Sequence, residues 1–470
     1  MLPFLISFLT LPIYTRYLSL EDYGLVMLVT ALASLVGTSI SFQLSSALPR
    51  LYFDCDESGI KSLFSTIFYS VAIIGMAFLI ALSLLGDLML SIIFPKTGAD
   101  YFPYFFIGLL SMYVSELSSV VNRLLVVQER AFVVLKRTLI VLPIGVSVGL
   151  VLVAQLDMGA VGVLLSGLVS AIATLLINAL VVRRYFVKKW DPLIFIESWK
   201  YSWPLIPHAL GGYLFMYSDV LVMEKMLPLA LIGIYSLSDK FSQILKIIVS
   251  SISEALSPSF MRMACESETR AVDTFVPVIN SWFLIVLVVY LLLSLLSEEV
   301  IYLLTTEKFY LASAFVPVLA LSYIFRGFYV FSSYPIFYKK GTKKIPLITL
   351  TAGVVNVVLN VIFIPFFGLW AVVGATVISF ALTAFVAQHL SNKYYFSIKY
   401  DLRFIVVVGC YALAILFIGL SMDFGNIALN VISKIFLVIV FFVTLYSSNF
   451  HNVREHLGII VEPILSRFTR

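Results

Sequence analysis

Apolar residues follow one another in blocks of about 20 along nearly the whole chain, with short polar segments between them. A helix of about 20 residues crosses a hydrocarbon core of about 30 Å. The pattern predicts an all-α polytopic membrane protein, because a membrane β-barrel would show short alternating strands. We predict fourteen spans, with approximate limits 1–17, 24–47, 63–86, 102–123, 138–156, 159–182, 203–224, 229–257, 275–297, 311–334, 345–366, 368–391, 403–422 and 427–447.

Composition supports this prediction. Of the 470 residues, 61% are hydrophobic and 12% are charged, against about 25% charged in an average soluble protein. A soluble enzyme is therefore excluded. The three cysteines and four histidines form no CxxC or Cys/His set, so we expect no metal site and no disulfide framework. The sequence also contains no GxxxxGK[ST] loop and no nucleophile–base constellation. We therefore expect a non-enzyme without a cofactor.

Basic residues are concentrated in every second inter-span segment and in the C-terminal tail. The alternate segments hold only Arg16, Lys96, Lys225 and Lys308. By the positive-inside rule the basic segments are cytoplasmic, which places both termini inside the cell. The net charge of +5 therefore reflects a bias toward the membrane surface, and no nucleic-acid partner is expected. Four further cations fall within spans, namely Lys240, Lys246, Arg326 and Lys434.

The chain resembles itself at an offset of about 209 residues. Leu18–Val26 matches Leu227–Tyr235, which places Gly24 on Gly233, and Gly159 falls on Gly368. Since transporters are often built from two related halves, we predict two lobes of six spans related by an axis along the membrane normal. The first span looks shortened relative to span 7, so we expect the true start upstream of Met1. The predicted organisation is an N-lobe at 1–182, a cytoplasmic linker at 183–202, a C-lobe at 203–395, spans 13 and 14 within 396–447, and a cytoplasmic tail at 448–470.

Span 8 carries a polar stripe whose members are spaced three or four residues apart and so share one helix face. Charged side chains facing lipid at mid-depth cost at least about 2.5 kcal/mol each, which favours a water-filled cleft lined by spans 1, 2, 7 and 8. A dry seam of small residues is the alternative. The stripe consists of Ser236, Asp239, Gln243, Lys246, Ser250 and Glu254.

Cations in such a cleft suit an anionic head group, because phosphate oxygens accept charge-assisted hydrogen bonds. The alternatives are salt bridges, such as Lys240 with Asp219 or Lys246 with Glu254, and snorkelling of Arg50 and Arg123 to the surface. The candidate substrate-binding residues are Lys240, Lys246, Arg326, Arg50, Arg123 and Gln243. Intramembrane carboxylates are common ion relays, although structural pairing is an alternative here too. The candidates for proton or sodium coupling or for gating are Asp219, Glu254, Asp239 and Glu116.

The segment Leu11-Pro-Ile-Tyr-Thr-Arg-Tyr-Leu-Ser-Leu-Glu-Asp-Tyr-Gly24 resembles the opening signature of Wzx-type polysaccharide flippases. These belong to the multidrug/oligosaccharidyl-lipid/polysaccharide exporter superfamily. Asp219 with Gly233–Ser236, and the glycines from Gly368 to Gly374, are similar to its second-half motifs. The resemblance covers about residues 3–395.

The resemblance implies translocation of undecaprenyl-diphosphate-linked oligosaccharides across the bacterial plasma membrane by alternating access. The product would serve O-antigen, capsule or exopolysaccharide synthesis. The expected partners are the lipid-linked oligosaccharide, membrane lipids, a polysaccharide polymerase and a chain-length regulator. Three alternatives stay open. The first is an ion-coupled multidrug exporter, whose cationic substrates favour an acidic cavity. The second is a lipid II flippase. The third is a polysaccharide polymerase or ligase, which would need larger outer loops than this sequence contains.

Overall fold

A computed structural model describes residues 8, 10–341, 344–396 and 398–448, and all regular secondary structure in these ranges is helical. The α-helices are α1 Leu11–Tyr17, α2 Leu20–Ile40, α3 Ala47–Leu51, α4 Glu57–Leu84, α5 Gly86–Ile93, α6 Phe106–Val127, α7 Ala131–Leu150, α8 Gly159–Val182, α9 Pro192–Ser202, α10 Leu205–Met226, α11 Leu229–Glu266, α12 Glu268–Leu295, α13 Ser297–Leu304, α14 Val316–Tyr338, α15 Ile345–Phe367, α16 Leu369–Tyr394, α17 Leu402–Leu420 and α18 Ile427–Ser448. Short 3-10 helices cover Leu44–Ser46, Tyr52–Asp54, Arg183–Tyr185 and Glu307–Ala314, and π-helical turns cover Tyr101–Phe105 and Val151–Gln155.

Twelve helices in the described ranges are long and apolar enough to cross a membrane. They correspond to predicted spans 2–6 and 8–14, so the prediction of a polytopic helical membrane protein is confirmed. Span 7 is a bent pair, Leu205–Tyr213 and Met216–Met226, with an angle of 50° between its parts. Residues 1–7 and 9 of predicted span 1, and the predicted tail beyond 448, lie outside the described residues.

Several helices extend further than the sequence predicts. Helix α7 begins at Ala131 rather than near residue 138, so Lys136 and Arg137 belong to a helix and not to a loop. Helix α11 continues to Glu266 and only Ser267 separates it from α12. Polar residues end an apolar block in the sequence, but they do not interrupt the backbone hydrogen bonds of a helix. The predicted limits were therefore too narrow at the charged ends.

The internal repeat is visible in the helices themselves. Helices α4 and α12 each have 28 residues, and the short helices α5 and α13 that follow them each have 8. Gly159 and Gly368, which the sequence offset equates, both have positive φ (52° and 55°) just before or at the start of a helix. Glycine adopts this conformation without steric cost, so α8 and α16 begin in the same way.

The chain divides into two compact units, Met1–Ser236 and Leu237–Arg470. The boundary between these compact units lies within α11, between Ser236 and Leu237. Its physical cause is the packing of α10 against α2, together with a close approach of two backbones. A Cβ atom on Gly24 would meet the carbonyl of Leu229, and one on Gly233 would meet the carbonyl of Leu20.

This close approach is reciprocal, because the 209-residue offset equates Leu20 with Leu229 and Gly24 with Gly233. A contact in which residue i meets j and the equivalent of j meets the equivalent of i is the mark of two-fold symmetry. The starts of α2 and α11 therefore meet around a local two-fold axis. Neither glycine tolerates a side chain there without movement of the opposing backbone.

The second unit has a continuous apolar core. Trp282 on α12, Phe331 on α14 and Phe441 on α18 have no exposed surface. The rings of Trp282 and Phe331 pack edge to face with centroids 4.9 Å apart. Helices α17 and α18, the last two in the described residues, therefore belong to this core through Phe404 and Phe441.

Candidate anion-binding site

Helix α11 presents two different faces within the second unit. Leu245, Val249 and Ser253 on one face are buried. The predicted polar stripe lies on another face, where Gln243 and Lys246 are partly buried and Glu254 is exposed. The spacing of three or four residues thus separates a packed face from a polar face along one helix.

Hydroxyl groups hold the packed face of α11 against its neighbours. Ser238 donates to the carbonyl of Ala312 at 2.9 Å. Further along, Tyr334 on α14 donates to the carbonyl of Ser253 at 2.5 Å, and Tyr338 donates to the carbonyl of Ala264 at 2.9 Å. These bonds fix the rotation of α11 about its own axis, and so they fix the direction of its polar face.

Asp239 organises the polar face. Its two carboxylate oxygens accept hydrogen bonds from Nε2 of Gln243 at 2.7 Å and from the hydroxyl of Tyr323 at 2.9 Å. Gln243 is therefore oriented by Asp239 rather than standing alone as a sugar ligand. Tyr323 was absent from the predicted site, because only the fold brings α14 beside α11.

The predicted site includes two cations on α11, Lys240 and Lys246, and one on α14, Arg326. Lys246 is within electrostatic range of both Asp239 and Arg326, and Lys240 directly follows Asp239. Within the described part of the second unit, no carboxylate oxygen lies within 4.0 Å of the charged nitrogens of Lys240, Lys246 or Arg326. The alternative salt bridge of Lys246 with Glu254 is therefore wrong. Lys246 and Arg326 are thus two partly buried cations within electrostatic range of each other, with the carboxylate of Asp239 in range of Lys246. Two neighbouring cations beside one carboxylate carry net positive charge, which attracts an anion.

The other predicted cations lie in the first unit. Arg50, in the short helix α3, is exposed and pairs with Asp54 at 2.6 Å. Arg123 on α6 is exposed, and it is within electrostatic range of the partly buried Glu116, which lies about two helical turns earlier in the same helix. The structure thus places Arg50 and Arg123 in exposed positions, which fits the snorkelling alternative.

The predicted coupling carboxylates differ in their surroundings. Asp219 is 7% exposed. It accepts hydrogen bonds from the hydroxyl of Tyr235 and from the backbone N–H of Val220, the latter at 2.9 Å. Glu254 is exposed and Glu116 is partly buried. Asp219 and Asp239 are therefore held by protein donors.

Sequence reasoning missed the partner of Lys434. This lysine is 1% exposed and forms an ion pair with Glu299, which is 5% exposed, and a longer one with Glu298 at 3.8 Å. Glu299 lies in α13, a helix inside a segment that the sequence assigned to an outer loop. The expectation that Lys434 is structural agrees with this pairing, but no local pattern links residues that are 135 positions apart.

Among the described residues, no group of three or more His, Cys, Asp or Glu side chains is placed to hold a metal ion. Cys55, Cys265 and Cys410 are free thiols. The polar face of α11 and the neighbouring α14 carry ammonium, guanidinium, amide, phenol and carboxylate groups, and the first four of these can donate hydrogen bonds to oxygen-rich ligands.

Comparison of the chain with solved structures shows the same fold in known transporters. The lipid II flippase MurJ in an inward closed conformation aligns with a TM-score of 0.69 and 15% identity, over 94% of this chain and 99% of that chain. An inward-facing multidrug resistance MATE family transporter of the MOP superfamily aligns with a TM-score of 0.63 and 14% identity, over 81% and 91% of the two chains.

A relative in sequence is the "Probable low-salt glycan biosynthesis flippase Agl15" of Haloferax volcanii, which is 23% identical over 251 residues. The match covers 53% of this chain and 52% of the relative, so this chain spans about half the length of the relative it matches. The profile of the family described as polysaccharide biosynthesis protein matches residues 1–264. This match covers more than half of the chain and agrees with the resemblance of Leu11–Gly24 to flippase signatures. The chain is thus a multi-pass membrane protein that belongs to the polysaccharide biosynthesis protein family.

Proposed function

We propose that this protein is a flippase that moves polyprenyl-diphosphate-linked oligosaccharides across a membrane by alternating access. The family of the chain supports a role in glycan synthesis. The observation that carries the proposal is the pair of partly buried cations Lys246 and Arg326, which lie within electrostatic range of each other, with Asp239 near Lys246 and Lys240 partly buried on the same helix as Lys246. Uncompensated charge at membrane depth is costly, so an anionic ligand is the simplest reason for its presence.

Each part of the site has a proposed role. Lys240, Lys246 and Arg326 bind the diphosphate, since ammonium and guanidinium groups donate charge-assisted hydrogen bonds to phosphate oxygens. Gln243, oriented by Asp239 at 2.7 Å, contacts the sugars. The polyprenyl chain stays in the bilayer, where its apolar surface costs nothing.

The exposed cations of the first unit have an earlier role in this proposal. Arg50 and Arg123 attract the diphosphate at the cytoplasmic surface, before it reaches the polar face of α11. The ion pair of Arg50 with Asp54 is exposed and therefore weak, so a phosphate can replace the carboxylate. This role requires the orientation that the charge distribution predicts, with both termini cytoplasmic.

Coupling to protons or sodium ions is a further part of the proposal. Asp219 and Asp239 already accept hydrogen bonds from the protein, so a proton or ion must compete with those donors. Glu254 is exposed and Glu116 partly buried, which leaves them more accessible to an ion. We therefore expect substitution of Glu254 or Glu116 to reduce ion coupling more than substitution of Asp219 or Asp239.

We further propose that the carrier lipid is undecaprenyl diphosphate in a bacterial plasma membrane, with the product used for O-antigen, capsule or exopolysaccharide. The repeats at 1–182 and 203–395 act as the two moving halves. A polysaccharide polymerase and a chain-length regulator would take the product on the far side, because a flippase delivers repeat units and does not join them.

The test is transport in proteoliposomes with a fluorescent undecaprenyl-diphosphate-linked disaccharide, read as protection from a membrane-impermeant quencher. Wild-type protein is expected to move the probe. Lys246→Ala and Arg326→Ala are each expected to reduce the rate by about tenfold or more, since a hydrogen bond to a charged group is worth about 1.5–3 kcal/mol. Lys246→Arg keeps the charge and should retain most of the activity.

Lys399→Ala is the matched control, because Lys399 is an exposed lysine of the same unit and its loss should leave the rate unchanged. Lipid II and the lipophilic cation tetraphenylphosphonium serve as competing probes. Transport of tetraphenylphosphonium without transport of the glycan lipid would overturn the proposal in favour of a multidrug exporter. Transport of lipid II alone would contradict the proposed substrate.

A further inference from the structure

The first unit contains a cation, Arg137, that is held by two asparagine side chains. Arg137 is in α7, six residues after its start, which corresponds to about 9 Å along the helix axis. Its Nη1 donates to the side-chain oxygens of Asn122 at 2.5 Å and Asn178 at 3.0 Å. Within the described part of the first unit, no carboxylate lies within 4.0 Å of this guanidinium.

The two asparagines orient Arg137 but do not neutralise it. A guanidinium has five N–H donors, and both bonds to the asparagines use Nη1. Among the described residues, Nε and Nη2 have no hydrogen-bond acceptor. Asn178 is 1% exposed and its Nδ2 also has no partner there. A buried donor without a partner is costly, so Asn178 Nδ2 indicates that an acceptor belongs beside it, and the partly buried guanidinium next to it has donors left for the same acceptor.

Arg137 lines a cavity of about 480 Å³ between α1, α7 and α8. The other polar residues of its lining carry hydroxyl groups, and they are Thr10, Tyr14, Thr138, Ser166, Ser170 and Thr174. Four of these hydroxyls donate to backbone carbonyls of their own helices at 2.7–2.9 Å. Ser166 is also hydrogen-bonded to Tyr14, but the oxygens of Thr138, Ser170 and Thr174 remain available as acceptors and suit a ligand that itself carries hydroxyl groups.

The volume suits a head group and not a whole amphiphile. The helices that form the cavity also expose large apolar side chains, including Leu139 at 52%, Ile172 at 41% and Leu176 at 60%. Hydrocarbon chains can lie against such a surface. A phosphate fits the free edge of a guanidinium through two parallel hydrogen bonds, and a polyol fits the hydroxyl oxygens.

We propose that this cavity binds the phosphate-bearing head group of a membrane lipid, with Arg137 holding the phosphate and the hydroxyls of α7 and α8 holding its glycerol or sugar. The cavity is formed by residues of the first unit, and the proposal does not depend on the proposed flippase activity. Its ligand is an ordinary anionic phospholipid or a phosphorylated polyprenol, two sources that share the same chemistry and that the experiment separates.

The test is native mass spectrometry of the delipidated full chain with phosphatidylglycerol, undecaprenyl phosphate or phosphatidylcholine added. Wild-type protein is expected to retain at least one of the two anionic lipids in preference to phosphatidylcholine, whose phosphate is paired with its own choline. Arg137→Gln should weaken this binding by about tenfold or more, and Arg137→Lys should weaken it less. The anionic lipid that binds more tightly identifies the source.

The matched control is Lys136→Gln, since Lys136 is the preceding residue, is exposed, and lies 5.3 Å from the ring centroid of Phe132 instead of lining the cavity. It removes the same charge and should leave binding unchanged. If Arg137→Gln does not fold, Ser170→Val tests the site without a change of charge, because it removes one hydroxyl oxygen from the lining and adds apolar volume, and it should weaken binding. Equal binding by wild type and by folded Arg137→Gln or Ser170→Val, or equal retention of phosphatidylcholine, would overturn the proposal.

Discussion

Two groups of cations in the second unit show two ways to place positive charge in an apolar protein. Lys434 is 1% exposed and pairs directly with Glu299, itself 5% exposed. Lys240, Lys246 and Arg326 are less buried, and none of them has a carboxylate within 4.0 Å in the described part of the second unit, although Asp239 is within electrostatic range of Lys246. In the first arrangement the charge of Lys434 is neutralised by the carboxylate of Glu299, so no ligand is needed. The second is incomplete, and it is the second that carries the proposed function.

The same substitution should therefore have opposite effects at the two places. Lys434→Met leaves Glu299 buried without a counter-charge, and breaking a buried pair costs about 3–5 kcal/mol. We expect a large fall in thermal stability in detergent. The double variant Lys434→Met with Glu299→Gln should recover much of the loss. A melting temperature of Lys434→Met equal to that of wild type would remove the distinction between the two groups.

Tyr323→Phe tests how far Asp239 depends on protein donors. The substitution removes a 2.9 Å hydrogen bond to the carboxylate and keeps the ring. A hydrogen bond to a charged group is worth about 1.5–3 kcal/mol, so we expect a moderate fall in stability, smaller than at Lys434. The check is a denaturation curve beside that of Tyr329→Phe, which alters a tyrosine of the same helix. Equal curves for the two variants would mean that Asp239 gains nothing from Tyr323.

Lys240→Met should change stability least. Removing a partly buried charge that has no ion pair in its own unit relieves a desolvation cost, so the melting temperature should stay the same or rise slightly. Binding of undecaprenyl diphosphate should nevertheless weaken by about tenfold or more. Melting and binding measured on one preparation separate the two effects. A strongly destabilised protein would instead place Lys240 with Lys434 as a structural cation.

In the first unit a cysteine, Cys55, lies near several carboxylates instead of near cations. Burial, and then the charges of Asp54, Asp56 and Glu197, raise the pKa of the Cys55 thiol. Because the thiolate is the reactive form, labelling of Cys55 by a maleimide should be slow at pH 7 and should speed up as the pH rises. The exposed Cys265 serves as the reference in protein that lacks Cys410. An impermeant maleimide should reach Cys55 and Cys265 from the cytoplasmic side only.

The spans and the repeat could be predicted because they are local or periodic. Blocks of apolar residues predict twelve of the helices, and the offset that equates Gly24 with Gly233 corresponds to a reciprocal contact in the structure. The stripe of span 8 follows from helical spacing alone. These features depend on sequence neighbours or on a constant offset, so they need no knowledge of tertiary packing.

The partners of buried charges could not be predicted in the same way. Glu299 pairs with Lys434 across 135 residues, and Tyr323 reaches Asp239 across 84. Arg137 was assigned to a cytoplasmic loop because the charges before residue 138 end the apolar block, although the helix begins at Ala131. Hydropathy reports the average environment of a segment, whereas these contacts depend on which helix faces lie together.

The most direct test of the anion site is the affinity of the protein in nanodiscs for undecaprenyl diphosphate. It compares wild type with the triple variant Lys240→Gln, Lys246→Gln and Arg326→Gln. We predict that the triple variant stays folded and loses more affinity than any single variant does. A folded triple variant that binds the lipid as tightly as wild type would contradict the claim that these cations hold the diphosphate.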